Sequence, residues 1–184
     1  MDEAQGAFPG TKARLHIGGT VRREGWQVLN IEAGPHVDHV GDCADLSRFA
    51  DGSFAEVYAA HVLEHLGYRI DLPVTIAGIY RVLEPGGLLR MSVPDLARLS
   101  EVFARRDLAF EDRVLVMQMM FGGQLDAHDF HRVGLFWELA RRFLARAGFV
   151  EVRRVEELGV FEDTSSLRLY GKLVSLNLEA RKPR

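Results

Sequence analysis

Apolar and polar positions follow two different periods along the middle of the chain. Val57–Ala60 is a short apolar run that suits a buried strand, and His61–Leu66 is expected to begin a helix after it. A helical period then places apolar residues at spacings of three and four, namely Ile76, Ile79, Tyr80 and Leu83. Pro85-Gly86-Gly87 ends that helix, because proline cannot continue one and glycine tolerates a sharp turn. Leu88–Val93, closed by Pro94-Asp95, is a second buried strand, which predicts a parallel strand–helix–strand unit.

The connections between the first three strands are too short for ordinary helices. Strands are predicted at Ala13–Ile17, Trp26–Glu32 and Val37–Val40. Only Thr20–Gly25 and Ala33–His36 separate them, whereas a parallel crossover usually needs about a dozen residues or more. The helices that cover this half of the sheet are therefore expected to be shortened or absent. An uncovered apolar face is unstable in water, which leads to the hypothesis of a homodimer.

The second half of the chain is predicted to contain two helices and a polar loop. The helices are Leu96–Arg106 and Leu135–Ala147, and Gly148 ends the second of them. Asp107–Met120 between them has apolar residues but no clear period. Phe121–His131 contains Gly, His and Asp residues, so we expect a loop or lid there, and such loops often carry function.

Two further strands are predicted near the end of the chain. Phe149–Val155 is the first, and an irregular stretch, Glu156–Lys172, follows it. Val174–Ala180 alternates apolar and polar side chains with a period of two. That alternation predicts a strand with one solvated or interface-lining face.

Composition limits the class of protein. The chain has 184 residues, of which 47% are hydrophobic and 27% are charged, which suits one domain over 13–184 after a flexible N-terminus at 1–12. The net charge of −3, with scattered arginine pairs, gives no case for a nucleic-acid partner. No apolar run approaches the ~20 residues of a membrane span, and the N-terminus lacks the features of a signal peptide. Cys43 is the single cysteine, so no internal disulfide is expected and a cytoplasmic location is predicted.

Several short motifs in a fixed order resemble a known enzyme family. They are HVLEHL at 61–66, YRVLEPGG at 80–87 and MSVPDL at 91–96, with GDCADL at 41–46 and FADGSF at 49–54 upstream. Over roughly residues 13–155 the chain resembles the class I S-adenosylmethionine-dependent methyltransferases, particularly the small type 11 enzymes and their bacterial relatives. The resemblance implies a single-domain α/β, Rossmann-like sheet that is mostly parallel with an antiparallel last strand. It also implies S-adenosylmethionine as cofactor and methyl transfer to a small-molecule or saccharide-type acceptor.

The resemblance also implies a set of cofactor-binding residues. Gly18 and Gly19 stand where the family has its glycine-rich loop, although His16 replaces the usual acid and the glycines are adjacent. Either Asn30 or Glu32 would accept hydrogen bonds from the ribose hydroxyls, while a plain exposed role for Glu32 is the alternative. The remaining implied residues are Asp42 and Cys43 at the adenine, where Asp42 alternatively caps a turn, and Ala60 at a strand end.

The candidate catalytic residues are His61, His131 and Asp95. His61 and Asp95 follow neighbouring strands, at the sheet edge where ligands bind in open α/β folds. Histidine suits general-base catalysis at neutral pH, although each histidine could instead be a helix cap or a surface residue. His128, Asp129 and His131 of the predicted lid could close over this edge.

Two other classes of function stay open from the sequence. The incomplete glycine loop and the missing first crossover also suit a non-catalytic methyltransferase-like domain that binds a partner. His61, Glu64 and His65 match the H-x-x-E-H pattern of zinc peptidases, which needs both histidines on one helix face. His128 and His131 form a second histidine cluster without the carboxylate spacing of a metal site. The favoured prediction therefore includes no metal.

Overall fold

A seven-stranded sheet forms the centre of the computed structural model, which describes residues 12–184. The strands of this sheet are β1 (Arg14–Ile17), β2 (Trp26–Asn30), β3 (His39–Val40), β4 (Phe54–Ala60), β5 (Leu83–Pro94), β6 (Val150–Arg154) and β9 (Ser175–Arg181). Their order is β3-β2-β1-β4-β5-β9-β6. The strands from β3 to β5 pair in parallel, and β9 is antiparallel to both β5 and β6. The predicted fold class is confirmed.

Four α-helices accompany the sheet in this part of the chain. They are α1 (Asp71–Val82), α2 (Leu96–Phe103), α3 (Phe110–Phe121) and α4 (Trp137–Ala147). The sequence predicted α1, α2 and α4, but it did not predict α3, because that helix is largely exposed and buries only Val116. The expected helix start at His61–Leu66 was wrong, since only a 3-10 turn, Leu63–His65, forms there.

The short connections between the first strands are confirmed. Within residues 12–184, no helix lies between β1 and β2, between β2 and β3, or between β3 and β4. Two small strands, β7 (Arg168–Leu169) and β8 (Lys172–Leu173), form a separate hairpin ahead of β9. Among these residues, no helix is both long enough and apolar enough to span a bilayer.

One face of the sheet carries the main apolar core. Alternate residues of the central strands point to this face, where Val57 of β4 and Leu89 of β5 are fully buried. Ile76 and Ile79 of α1 pack onto it, together with Leu144 of α4. The helical period of α1 in the sequence therefore marks the surface that covers the sheet.

The opposite face is not left open, which corrects the prediction of an uncovered apolar sheet. Trp26 and Tyr58 are buried there, and they cluster with Leu158 from the connection between β6 and β7. Phe161 of the same connection stacks on the ring of His16 with 4.0 Å between centroids. Residues 155–167, which we name the coil segment, are irregular apart from the 3-10 turn Thr164–Ser166, and they cover this face in place of helices. The homodimer hypothesis loses its premise, while the oligomeric state itself stays a prediction.

The alternation along β9 does not mark the solvated or interface-lining face that the sequence predicted. Every residue from Ser175 to Ala180 is buried, because β9 lies between β5 and β6 beneath the coil segment. Asn177 donates its amide to the carbonyl oxygens of Glu156 and Ser165, at 3.0 and 2.8 Å. Asn177 therefore binds the covering segment, while Glu179 pairs with Arg90 of β5 and Arg153 of β6, so protein groups rather than water satisfy both side chains.

The flexible N-terminus predicted at 1–12 lies outside the described residues, apart from Lys12. Lys12 Nζ donates to the carbonyl oxygen of Gly52 at 2.8 Å and lies 3.2 Å from the carboxylate of Glu84. The described chain therefore begins beside the turn that precedes β4.

Candidate functional site

A cavity of about 590 Å³ opens at the carboxyl ends of β1, β2, β3 and β4. We name it the strand-end cavity. Parallel strands end at the same edge, so residues far apart in sequence meet there. Its lining includes most of the predicted cofactor residues, namely Gly18, Asn30, Asp42 and Cys43, and it also includes the predicted catalytic residue His61. The volume lies within the usual range of small-molecule and cofactor sites.

Gly18 and Gly19 are held close to neighbouring side chains just after β1. Gly18 has φ of +76°, and a Cβ there would lie 2.2 Å from Cγ2 of Val62. A Cβ on Gly19 would lie 2.5 Å from Nδ1 of His16. Both positions therefore need glycine for packing within the chain, and Val62 itself lines the cavity.

Asn30 and Glu32 occupy different environments at the end of β2. The Asn30 side chain donates from Nδ2 to the carbonyl oxygen of Gly19 and accepts at Oδ1 from the backbone N–H of Glu32, both at 3.0 Å. It therefore fastens the glycine turn to the end of β2 while lining the cavity. Glu32 is exposed and does not line the cavity.

Asp42 and Cys43 follow β3 and line the cavity together. Asp42 Oδ1 accepts a hydrogen bond from the backbone N–H of Ala44 at 2.8 Å, so Asp42 does cap a turn. That contact leaves the adenine role open, because Asp42 faces the cavity as well. Burial, followed by the charge of Asp42, raises the pKa of the Cys43 thiol to about 12, so it stays protonated at neutral pH.

His61 stands directly after β4 in a left-handed conformation, with φ of +53°. This conformation is uncommon for a residue with a side chain and is held here by the backbone, since His61 N–H donates to the carbonyl oxygen of Ser92 at 2.9 Å. His61 Nδ1 lies 3.3 Å from Oε1 of Glu64, and Nε2 lies 3.3 Å from Oγ of Ser175. Ala60, one residue earlier, packs with the aromatic cluster on the covered face and does not line the cavity.

His61 also borders a second, smaller pocket of about 130 Å³. We name it the inner pocket. Its lining is mainly apolar, with Leu99, Met119 and Val174 among its members, and it includes His131. His131 Nδ1 donates to the carbonyl oxygen of Met119 at 3.0 Å, and burial lowers its pKa below the usual value. The structure therefore brings His61 and His131 to one pocket, and their catalytic roles stay predictions.

Asp95, the third predicted catalytic residue, lines neither the strand-end cavity nor the inner pocket. It is buried at the N-cap of α2, where Oδ1 accepts from the backbone N–H of Ala97 at 3.1 Å. Arg154 lies 3.8 Å from its Oδ2, in a polar groove that is separate from the strand-end cavity. The contacts of Asp95 are those of a helix cap, and its catalytic role stays a prediction.

The structure also adds Ala127 and Arg132, which the sequence did not single out, beside His128 of the predicted lid. The loop after α3 contributes Ala127, His128 and Arg132 to the strand-end cavity, so the predicted lid does reach it. Arg132 is held by its backbone N–H, which donates to the carbonyl oxygen of Glu64 at 2.8 Å. The histidines of this loop signalled a site, but a single arginine among the 23 lysines and arginines carried no sequence signal.

The zinc-peptidase pattern is not formed as that class requires. No α-helix covers His61–His65, so His61 and His65 do not share a helix face. Instead, His65 lies beside His131 of the loop, with ring centroids 4.9 Å apart and nearly perpendicular planes. Glu64, His65 and His131 each offer a ligand atom within 4.8 Å of the others, a grouping that sequence spacing did not predict.

Comparison with known proteins agrees with the fold. Residues 22–91 match the family model described as a methyltransferase domain. A sequence search of curated proteins finds no match. The matched region includes most of the residues that line the cavity, among them Asn30, Asp42 and His61.

Three solved methyltransferase structures are similar over nearly the whole chain. An S-adenosylmethionine-dependent methyltransferase from Archaeoglobus fulgidus has a TM-score of 0.60 at 15% identity, covering 95% of this chain and 88% of its own. The Burkholderia thailandensis 1,6-didemethyltoxoflavin-N1-methyltransferase, with 1,6-didemethyltoxoflavin and S-adenosylhomocysteine bound, has a TM-score of 0.56 at 15% identity. The match covers 95% of this chain and 73% of that enzyme. Haemonchus contortus phosphoethanolamine N-methyltransferase 2, in complex with S-adenosyl-L-methionine, has a TM-score of 0.52 at 18% identity. The match covers 97% of this chain and 50% of that enzyme.

These matches confirm the resemblance found in the sequence. The chain has the fold of the class I S-adenosylmethionine-dependent methyltransferases, and part of it matches the methyltransferase domain family. It spans 63% and 50% of the length of two further solved structures. At these identities the likeness establishes the fold, while the acceptor of each neighbour is a property of that neighbour.

Proposed function

We propose that the protein transfers a methyl group from S-adenosylmethionine to a small-molecule or saccharide-type acceptor. The observation that carries the proposal is the strand-end cavity, because it lies at the ligand-binding edge of a methyltransferase fold. Four residues that the family resemblance assigned to the cofactor line it, although they come from three different strand ends. The cavity is also large enough for a cofactor of this size.

The chain's own groups suit each part of S-adenosylmethionine. Asp42 and Cys43 stand at the proposed adenine end, where a carboxylate can accept from the adenine amino group. Asn30 stands at the proposed ribose position, with Glu32 two residues further along and exposed to solvent. Because no helix lies between β1 and β2, Arg132 of the loop is the proposed partner for the cofactor carboxylate.

The proposed chemistry needs a group that can accept the acceptor's proton. S-adenosylmethionine supplies an electrophilic methyl group when it is bound, and the protein supplies position and charge. His61 is the proposed base because it borders both the strand-end cavity and the inner pocket. The carboxylate of Glu64, 3.3 Å from His61 Nδ1, would stabilise the imidazolium that forms when His61 takes a proton.

The inner pocket is the proposed position for part of the acceptor. Apolar side chains form most of its lining, while His61, His131, Thr164 and Ser175 bring polar groups to its edge. A small molecule with a hydroxyl or amine beside an apolar portion suits this combination. A homodimer and a cytoplasmic location stay predictions; light scattering of the purified protein would test the first.

The cofactor site is tested by calorimetric titration with S-adenosylhomocysteine on a matched pair of variants. Asp42 and Asp45 each accept a hydrogen bond from the backbone N–H two residues on, at 2.8 and 2.9 Å, but only Asp42 lines the cavity. Asp42→Ala is expected to weaken binding by about tenfold or more, the cost of one charge-assisted hydrogen bond. Asp45→Ala is expected to leave it unchanged. Equal effects of the two variants, or no binding by the unmodified protein, would contradict the proposal.

The alternative is a methyltransferase-like binding domain without catalysis. It is favoured by one observation, namely that Gly18 and Gly19 are used for packing and no helix before β2 follows them to receive the cofactor. Saturable binding of S-adenosylhomocysteine that depends on Asp42 would exclude this alternative in its cofactor-free form. Methyl transfer from labelled cofactor by the unmodified protein, lost in the His61→Asn variant, would exclude the non-catalytic alternative entirely. Asparagine is chosen for this variant because it tolerates the left-handed backbone of His61.

A further inference from the structure

We propose that Glu64, His65 and His131 form a binding site for a divalent transition-metal ion such as Zn²⁺. Each of them offers a ligand atom within 4.8 Å of the other two. Two histidines and one carboxylate form the ligand set of several zinc enzymes and of non-haem iron centres. This metal site goes beyond the proposed methyl transfer, and the contacts that support the site do not depend on that reaction.

The carboxylate of Glu64 is the first evidence for a missing ligand. Glu64 is 1% exposed, and among residues 12–184 neither of its side-chain oxygens has a hydrogen-bond partner. His61 Nδ1 approaches Oε1 to 3.3 Å without hydrogen-bond geometry. A buried carboxylate that accepts no hydrogen bond is costly, and such groups are normally hydrogen-bonded or bound to a metal. A cation at this position would supply the missing partner.

Hydrogen bonds to backbone carbonyl oxygens fix the tautomer of both histidines. His131 Nδ1 lies 3.0 Å from the carbonyl oxygen of Met119, and His65 Nδ1 lies 3.3 Å from that of Phe130. A carbonyl oxygen can only accept, so each Nδ1 carries the proton and each Nε2 keeps its lone pair. Metal-binding histidines typically donate their other ring N–H to a carbonyl or carboxylate in this way, which fixes the tautomer and the ring.

The backbone supports the same geometry from two segments. Glu64 and His65 belong to the 3-10 turn after β4, while His131 arrives on the loop after α3. The backbone N–H groups of Arg132 and Val133 both donate to the carbonyl oxygen of Glu64, at 2.8 and 3.3 Å, which fastens the loop to the turn. A tetrahedral zinc ion with bonds of about 2.0–2.1 Å separates its ligand atoms by roughly 3.3 Å, so small side-chain rotations would close the site.

The position gives the metal a link to the proposed reaction. His65 lines the strand-end cavity, and His131 lines the inner pocket, so the three residues stand between the two spaces. A cation there would bind an oxygen or nitrogen of the acceptor and favour its deprotonated form. This link rests on the proposed function, whereas the metal site itself does not.

The test is zinc binding by the full chain after treatment with a chelator. Zn²⁺ titration and elemental analysis are expected to show one ion per chain, and Co²⁺ is expected to give visible ligand-field absorption. Mg²⁺ should not compete, because it prefers oxygen ligands. Glu64→Gln and His131→Gln are each expected to weaken zinc binding by at least about tenfold. His128→Gln, on the same loop but outside the cluster, should bind zinc as the unmodified protein does.

Two readouts separate the metal site from the fold and from the cofactor site. Zn²⁺ should raise the melting temperature of the unmodified protein and of His128→Gln, but not of Glu64→Gln. His65→Gln provides a second variant if Glu64→Gln fails to fold. S-adenosylhomocysteine is titrated separately into the metal-free protein, so each site can fail alone. Absence of stoichiometric zinc, or binding unchanged in the folded Glu64→Gln and His131→Gln variants, would overturn the inference.

Discussion

At the scale of single residues, the site depends on backbone positions that the sequence reveals only in part. Gly18, Asn30, Asp42 and His61 could be predicted because each follows a recognisable strand, and parallel strands end at a common edge. The Glu64–His131 contact could not be predicted, since it joins a turn and a loop that are 67 positions apart with no periodic signal between them. Sequence spacing instead suggested a helical histidine pair, which the 3-10 turn does not form.

The packing of Gly18 against Val62 predicts a measurable difference between two glycines. Gly159 has φ of +65°, and no described atom lies within 4 Å of the position that a Cβ would take there. Gly18 has φ of +76° and the 2.2 Å approach to Val62. Gly159→Ala is expected to cost about 1 kcal/mol of unfolding free energy from backbone strain alone. Gly18→Ala is expected to cost at least about 1 kcal/mol more, from overpacking. Urea denaturation checks this, and equal losses would show that the Val62 contact carries no energy.

His16 predicts a pH dependence of stability. Burial lowers the pKa of His16 to about 4, although the negative charge of Asp163 acts to raise it. In the unfolded chain a histidine has a pKa near 6.5. Between these values the unfolded state binds a proton that the folded state does not. The unfolding free energy should therefore fall as the pH drops from about 6.5 to about 4, by about 3 kcal/mol in total, with no effect of His16 above that window.

The measurement compares urea denaturation of the unmodified protein with His16→Leu across this pH window. The variant should show a flatter decline toward low pH, whatever its absolute stability. His36→Leu, at an exposed position, serves as the control and should follow the unmodified protein. Parallel curves for His16→Leu and the unmodified protein would contradict the account.

At the scale of elements, regular periodicity decided which parts could be predicted. The apolar face of α1 and the apolar run of β4 matched the structure, because both pack directly on the core. α3 lacked a clear pattern since it buries only Val116. The alternation along β9 was misleading for a physical reason. Asn177 is buried against the coil segment 155–167 and Glu179 is buried beside two arginines, so a period of two does not reveal whether water or protein covers that face.

Asp95 gives a prediction about the start of α2. Asp95→Ala should lower the unfolding free energy by about 1 kcal/mol, because the N-cap hydrogen bond to the Ala97 N–H is lost. Asp95→Asn should retain most of the stability, since asparagine is an equally good N-cap. Neither variant should alter the affinity for S-adenosylhomocysteine, because Asp95 does not line the strand-end cavity.

Denaturation and calorimetry on the two Asp95 variants also bear on its predicted catalytic role. Normal stability of Asp95→Asn together with loss of methyl transfer would support that role. A tenfold loss of cofactor affinity in Asp95→Asn would contradict the placement of Asp95 outside the cofactor site.

At the scale of the whole molecule, the strand order is what connects the sequence to the proposed function. The sequence predicted a mostly parallel sheet with an antiparallel last strand, and the order β3-β2-β1-β4-β5-β9-β6 agrees. It could not predict how the sheet would be covered, because coil segments such as 155–167 bury only isolated residues like Leu158 and leave no periodic pattern. The same uncertainty produced the homodimer hypothesis, which now lacks its original premise.

The measurement that tests the central claim most directly is a crystal structure of the protein with S-adenosylhomocysteine. The account predicts the ligand in the strand-end cavity, with its adenine beside Asp42 and Cys43, its ribose beside Asn30, and His61 near its sulfur. Ligand bound in the polar groove beside Asp95, or bound away from the carboxyl ends of β1 to β4, would contradict the account.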